Sequence, residues 1–414
     1  MGERLPVTIG NHVVWELIRY CKQRALEDFL LVADENTYTA LGEMLEGILK
    51  DQGYDVITIV LKGEEVIADE HHLVRVLLNT DGKERMFLAV GSGTITDITR
   101  FVSHRSGREF ISLPTAPSVD GFTSIGAPLV VGGLKQTIIC QPPSAVFADL
   151  PTLAEAPRRL IAAGFGDLIG KYLSLADWKL SRLLWDEPYD EGIAERMLGA
   201  AQSCASHVQE IAGGSMEGTR LLMEGLIESG FGMLEFGNTS PAGGAEHHIA
   251  HHWEMMMLSN HRKAELHGAK VGVASVITAK WYEQVAGLSV EQARERLDQR
   301  LLPNPNEEEA KIRAIFGPIA DEILPTQEEF LNMTEERFEV LKTSILDCWQ
   351  EVQEIAAGVP SAKELTRWLR MVGGPATTGE LNLTEEEIQL ALDYSHYMRK
   401  RFTINKLRIL LGIA

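Results

Sequence analysis

Six of the chain's twelve histidines fall within the run EHHIAHHWEMMMLSNHRKAELHG, at His247, His248, His251, His252, His261 and His267. Imidazole is the commonest protein ligand for zinc, nickel and divalent iron, so this clustering reads as a metal site. His247 and His251 stand four residues apart and would project from one face of a helix. His267, beside Gly268 at the start of the next apolar segment, could close the site from a second helix. His248 and His252 lie about 100° further round, and with His261 they are expected to be structural or to support the ligands. A solvated or core-lining helix face would explain any single histidine; it does not explain six together.

Two histidines holding a divalent ion normally require a third protein ligand, often a carboxylate, with the remaining positions left to water or substrate. Asp167, in AAGFGDLIGK, is a candidate, although a glycine-rich turn entering a helix also suits a simple N-cap. Asp120 lies in LPTAPSVDGFTSIGAPLV, a stretch that gathers Thr115, Ser118, Thr123 and Ser124 around Pro114, Pro117 and Gly121. Such a preset loop, rich in small donors, is expected at a ligand-gripping rim; a structural turn is the other reading. Asp120 is flanked by Val119 and Gly121 and has no basic neighbour in sequence.

A second kind of site is suggested where RMFLAV runs into Gly91-Ser92-Gly93-Thr94 and a helix continues over 95–102. Glycines at a strand–helix junction let phosphate oxygens approach the backbone amides, and the helix N-terminus carries a partial positive charge. A lone GSGT is also compatible with a plain tight turn. Asp34 follows the apolar run FLLVA. A carboxylate there could accept hydrogen bonds from the ribose hydroxyls of a dinucleotide and would favour NAD over NADP; it could equally cap the helix beginning near Thr37.

The elements needed to position these residues have two grammars. Up to about residue 150, short β-branched runs (29–38, 55–62, 85–94, 109–118) alternate with helical stretches (38–52, 64–78), the pattern of a doubly wound parallel α/β domain. A hairpin-like passage over 127–150 follows. From Pro151 onward the chain reads as long amphipathic helices, broken at Pro303 and Pro305, with a cap at Thr384 followed three residues later by Glu387. The expected architecture is therefore an α/β, Rossmann-like domain over 1–152 and an all-α domain over 153–414.

The 414 residues are 45% hydrophobic and 24% charged, enough for a large buried core. With 59 acidic against 39 basic side chains the net charge is −20, which argues against nucleic acid or an anionic membrane as partner. No stretch holds 18 consecutive apolar residues and the N-terminal sequence lacks a signal-peptide core, so a cytoplasmic location is expected. Cys21, Cys140, Cys204 and Cys348 form no CxxC pair, and neither a disulfide framework nor a thiolate metal site is suggested.

Taken together and in order, GSGTITDITR, LPTAPSVDGFTS, AAGFGDLIGKYLSLADW and AEHHIAHHWEM…LHGAKVGV resemble the sn-glycerol-1-phosphate dehydrogenases, in particular their bacterial, AraM-type branch. These belong to one superfamily with glycerol dehydrogenase, the iron-type alcohol dehydrogenases and dehydroquinate synthase. The resemblance covers about residues 29 to 275. It implies a dehydroquinate synthase-like fold and an NAD(H)- or NADP(H)-dependent enzyme that reduces dihydroxyacetone phosphate reversibly to sn-glycerol 1-phosphate, feeding glycerophospholipid synthesis. It makes Asp167, His247 and His267 the ligands of one divalent ion, nickel or zinc in preference to iron. His251, as a proton relay, would face the substrate with Asp120 and Asp167. Gly93, Thr94, Ile95, Thr96 and Asp97, with Thr115, Ala116, Pro117, Ser118 and Ser124, would contact the dinucleotide, and a homodimer is implied.

One departure matters. Related sequences often carry an SRP tripeptide where this chain reads Asn238-Thr239-Ser240-Pro241-Ala242-Gly243-Gly244. If the missing arginine meets the substrate phosphate, phosphate must be recognised elsewhere. The readings left open are a dehydrogenase for an unphosphorylated polyol such as glycerol, a metallohydrolase without a dinucleotide, and a metal-stabilised binding protein.

Overall fold

The computed structural model describes residues 4–63, 65–132 and 134–413. The chain divides into two compact units: Met1–Leu168 with Gln202–Gly237 and Met371–Gly373, and Ile169–Ala201 with Asn238–Arg370 and Gly374–Ala414.

The first unit is built on a six-stranded, all-parallel sheet. Its strands are β1 (Val7–Gly10), β2 (Asp28–Asp34), β3 (Asp55–Leu61), β4 (Met86–Val90), β5 (Phe110–Leu113) and β8 (Ala145–Asp149), in the order β1-β8-β5-β4-β2-β3. A separate antiparallel hairpin is formed by β6 (Gly126–Val131) and β7 (Leu134–Ile139). The α/β reading is thus borne out, with three differences. The run at 29–38 is not the first strand, because a four-residue β1 precedes it. It also ends as a strand at Asp34, where the chain turns helical through a π-helical turn, Tyr38–Gly42, into a regular helix, Glu43–Asp51. And the tail of the hairpin-like passage leaves the hairpin to become β8, paired with both β1 and β5.

The sheet is buried on both faces, as a parallel sheet flanked by crossover helices must be. Alternate residues of β2 and β4 serve opposite layers. Phe29, Leu31, Ala33, Leu88 and Val90 pack with Leu17 of α1 (Val13–Gln23) and Leu45 of α2 (Glu43–Asp51). Leu30, Val32, Phe87 and Ala89 pack with Val76 of α3 (Glu70–Leu77) and Ile98 of α4 (Gly93–Arg105). The helix expected over 64–78 is shorter at its start: Asp69 caps α3 through the amide of His72, while Glu64 lies outside the described residues.

The strand order places the topological switch between β2 and β4, since the chain passes outward from β2 to β3 and then returns to the other side of β2. Ligands of open α/β sheets bind at the carboxyl ends of strands beside such a switch. Asp34 ends β2 and Gly91 follows β4, so both candidate dinucleotide elements stand there.

Beyond Asp149 all regular structure among the described residues is helical. In the second unit the Pro303–Pro305 break is the start of a helix, Pro305–Phe316, capped by Asn304. Thr384 and Glu387 form the expected capping box. No described helix is long and apolar enough to cross a membrane.

Candidate active site

In the first unit, the β4–α4 turn and the loop after β5 are zipped together. The Gly91 amide donates to the Leu113 carbonyl at 3.1 Å, the Thr115 amide donates to the Gly91 carbonyl at 3.3 Å, and the Ser92 and Ser118 hydroxyls hydrogen-bond. Gly91 is obligatory here, because a Cβ would sit 2.6 Å from Ile95 Cβ. Ser92 is the N-cap of α4 but makes no side-chain capping bond, and the first amides of a helix have no partner within it. The N-terminal amides at Gly93 and Thr94 are thus placed to serve an anion.

The Ile95 side chain is committed to the core, Thr96 is buried, and Asp97 pairs with Arg100 at 2.9 Å. Thr115, Ala116 and Ser118 are buried in the loop, and the Ser124 hydroxyl donates to the Gly121 carbonyl. Asp34 forms a reciprocal cap with Thr37, its Oδ1 accepting from the Thr37 amide at 2.8 Å.

The 118–126 loop is held on three sides. Fully buried Arg100 donates to the carbonyls of Gly121, Phe122 and Gly126, which ties the loop to α4. From α5 (Arg158–Ile169), Asp167 Oδ2 accepts the Asp120 amide at 3.1 Å. From α6 (Met216–Phe236), the Ser229 hydroxyl donates to Asp120 Oδ2 at 2.8 Å. Gly164 and Gly230 allow these approaches: a Cβ on Gly164 would meet the Pro117 carbonyl oxygen at 1.8 Å, and one on Gly230 would meet Thr123 Oγ1 at 2.2 Å. Asp167 is fully buried and lies inside α5 rather than at its start, so the N-cap reading is corrected. Gly164, three residues before it, marks close packing rather than a turn.

In the second unit, α7 (Ala245–Ser259) and α8 (His267–Ala286) bring three histidines together, as their spacing predicts. Ring centroids are separated by 6.1 Å for His247 and His251, 5.3 Å for His247 and His267, and 5.3 Å for His251 and His267. His247 Nδ1 lies 2.7 Å from Glu246 Oε1. With Nδ1–H donated to that carboxylate, Nε2 is the nitrogen left for a ligand, the usual arrangement behind a metal-binding imidazole. Glu246 also accepts the Gly244 amide at 2.9 Å.

The start of α7 is anchored by the buried Asp177, which accepts from the Ala245 amide, the Ile404 amide and the Tyr282 hydroxyl. Gly244 has no room for a side chain, since a Cβ would lie 2.6 Å from Asp177 Oδ2 and 2.7 Å from Glu246 Oε2. The preceding 238–244 segment contains a 3-10 turn, Ser240–Ala242, whose Pro241 and Ala242 carbonyls accept from Ser174 and Lys171, and Arg401 donates to the Gly243 carbonyl that follows it.

His251 is 30% exposed in its side chain, and its Nδ1 lies 3.9 Å from Glu254 Oε2. His251, Glu254 and His267 offer ligand-type atoms within 4.8 Å of one another. His261 sits exposed in a left-handed turn after α7. His248 and His252 point into the interior, and burial pushes the His248 pKa well below its ordinary value and that of His252 down to about 4.

His252 makes an edge contact with Phe316, and neither of its ring nitrogens has a hydrogen-bond partner. It is therefore neutral when folded, while the unfolded chain takes up a proton near pH 6.5. The unfolded state binds more protons between pH 6.5 and 4, so stability falls as pH falls through that window, by about 1.4 kcal/mol per pH unit for this residue once below 6.5. His252→Leu should flatten the acid side of the stability profile measured by urea unfolding at pH 7, 6 and 5. An unchanged slope would show that His252 does not contribute.

Ser229, Glu246, Asp177, Glu254, Lys270 and Arg100 are absent from the residues singled out in the sequence. Glu246 was accessible to it, as a carboxylate adjacent to a ligand-type histidine. Ser229 was not, because nothing local ties IESGFGM to a loop about a hundred residues earlier.

Residues 8–157 match the family described as iron-containing alcohol dehydrogenase. The chain is 36% identical over 402 residues to the glycerol-1-phosphate dehydrogenase of Halalkalibacterium halodurans, named with NAD(P)+ as coenzyme, covering 96% of this chain and 90% of that one. It is 36% identical over 400 residues to the enzyme of the same name from Bacillus subtilis, covering 96% and 89%. Among solved structures, a glycerol dehydrogenase from Schizosaccharomyces pombe shares the fold, with a TM-score of 0.60 at 17% identity over 99% of this chain and 88% of that one.

Proposed function

Since the chain belongs to the glycerol-1-phosphate dehydrogenases, within the iron-containing alcohol dehydrogenases, we propose that it interconverts dihydroxyacetone phosphate and sn-glycerol 1-phosphate with NAD(H) or NADP(H). In this reading Asp167, His247 and His267 hold one divalent ion, as the resemblance of their motifs implies. The observation that carries it is the His247–Glu246 pair beside the His251 and His267 rings. Two imidazoles and a carboxylate suit nickel, zinc and ferrous iron, and nickel or zinc is the proposed occupant. When bound, such an ion supplies Lewis acidity toward an alcohol or ketone oxygen.

The protein's own groups have separate tasks. Glu246 fixes the tautomer and orientation of His247. The exposed edge of His251 passes a proton between the substrate's C2 oxygen and solvent, work suited to an imidazole at neutral pH. Asp120, held by Ser229, faces the substrate. The amides at Gly93 and Thr94 receive the pyrophosphate, with the 115–118 loop and Ser124 lining the dinucleotide, and Asp34 marks the ribose end. A homodimer, a cytoplasmic setting, reduction as the physiological direction and a role in glycerophospholipid synthesis belong to the same reading.

The test is NADH oxidation by nickel- or zinc-loaded protein with dihydroxyacetone phosphate, followed by chiral identification of the product. Metal-dependent formation of sn-glycerol 1-phosphate is expected. Activity with glycerol or dihydroxyacetone alone would reassign the protein to the polyol dehydrogenases.

A further inference from the structure

The segment from Asn238 to Gly244 carries no cationic side chain, and a cationic side chain is one of the groups by which a phosphorylated substrate can be held. Within the second unit, α8 brings one to the histidines. Lys270 lies three residues after His267, and residues at that spacing share a helix face. It is fully buried, and its Nζ lies 3.2 Å from Glu254 Oε2, the same oxygen that lies 3.9 Å from His251 Nδ1. The ammonium is thereby one carboxylate away from both the candidate proton relay and a candidate metal ligand.

We propose that Lys270 is the phosphate-binding residue of this active site, its ammonium kept on Glu254 in the free enzyme and meeting the phosphate of the triose phosphate when substrate enters. The inference rests on the functional reading above. A purely structural ion pair is the competing account. Burying two charges for stability alone is a poor exchange against apolar side chains of similar size, and α8 is apolar on either side of Lys270, at Ala269, Val271 and Val273. A lysine on a flexible stem is also suited to leaving one anion for another, as a point charge that phosphate sites accept. Charge balance points the same way. A divalent ion and an ammonium near one another are better compensated by a phosphate dianion than by a neutral polyol.

The experiment compares Lys270→Met and Lys270→Arg with the unaltered enzyme, all metal-loaded. Lys270→Gln is read in the same way should the methionine variant fail to fold. Three quantities are measured: bound metal, competition by inorganic phosphate, and kcat/KM for dihydroxyacetone phosphate against dihydroxyacetone. A hydrogen bond to a charged group is worth about 10- to 150-fold. Lys270→Met should lower the preference for the phosphorylated substrate by that factor, abolish competition by phosphate and keep the metal, while Lys270→Arg retains most of the preference. Equal losses on both substrates with phosphate still competing, or loss of metal, would overturn the assignment in favour of a structural ion pair. An unaltered enzyme that fails to reduce dihydroxyacetone phosphate at all would instead sink the functional reading, and Lys270's role with it. An active enzyme whose preference is unchanged in Lys270→Met sinks the Lys270 assignment alone.

Discussion

His247→Ala is expected to remove the divalent ion and turnover together, whereas His251→Ala should keep the ion and lose turnover. The asymmetry follows from what stands behind each ring. His247 is 93% buried and its Nδ1 is engaged by Glu246, so its Nε2 is directed and its loss leaves an ion with two protein ligands where three are needed. His251 is the more exposed of the two and Glu254 Oε2 lies 3.9 Å from its Nδ1, which suits a group that must take up and release a proton. Removing a positioned acid or base typically costs 10²- to 10⁴-fold in rate, on the order of 3 to 5 kcal/mol of barrier. Glu246→Gln completes the series. It preserves the shape but replaces the carboxylate behind His247, and should weaken metal binding by about 10- to 100-fold. Metal content of the purified variants, read beside steady-state rates, decides the matter. Equal metal content and equal activity in His247→Ala and His251→Ala would discard the ligand assignment.

What the sequence disclosed was whatever is local. The i,i+4 spacing of His247 and His251 and the position of His267 at the head of the next apolar run needed only helix geometry, and the rings do converge. The Thr384 cap and the β4–glycine–α4 junction are local in the same sense. Asp34 was legible as a cap because its partner Thr37 is three residues away.

Features that depend on distant packing were not legible. A strand of four residues, β1, has too little pattern to register, and it exists because β8 offers it an edge. The glycines around Asp167 suggested a turn, since glycine inside a helix is costly by propensity alone; the reason for Gly164 is a loop some fifty residues earlier that lies against the helix. The same limit hid Lys270. Its partner Glu254 is on another helix, and only the packing of α7 on α8 brings the two within 3.2 Å.

The second large effect is expected at Gly164, where two principles oppose each other and magnitudes decide. By helix propensity alone, Gly164→Ala inside α5 should stabilise the protein by about 1 kcal/mol. The contact argues otherwise. The new Cβ would stand 1.8 Å from the Pro117 carbonyl oxygen, 2.7 Å from the Pro117 carbonyl carbon and 3.1 Å from Ser118 Cα. All three are backbone atoms, so no side-chain rotation relieves the clash, and the helix and loop must part. Overpacking of this kind costs about 1 to 3 kcal/mol, enough to reverse the sign. The displaced loop carries Thr115 to Ser118, which is bonded to the β4–α4 turn through Ser92 and Gly91, and leads into Asp120, whose amide is held by Asp167. Gly164→Ala should therefore destabilise the fold, weaken NADH binding and weaken metal binding in one substitution. Gly199→Ala is the control, because that helical glycine has nothing within 4 Å of a new Cβ and should show the propensity gain alone. Urea unfolding of both variants, with NADH titration followed by fluorescence, gives the comparison. A Gly164→Ala protein as stable as the Gly199→Ala control, with NADH affinity intact, would mean that α5 and the 115–118 loop do not depend on this contact.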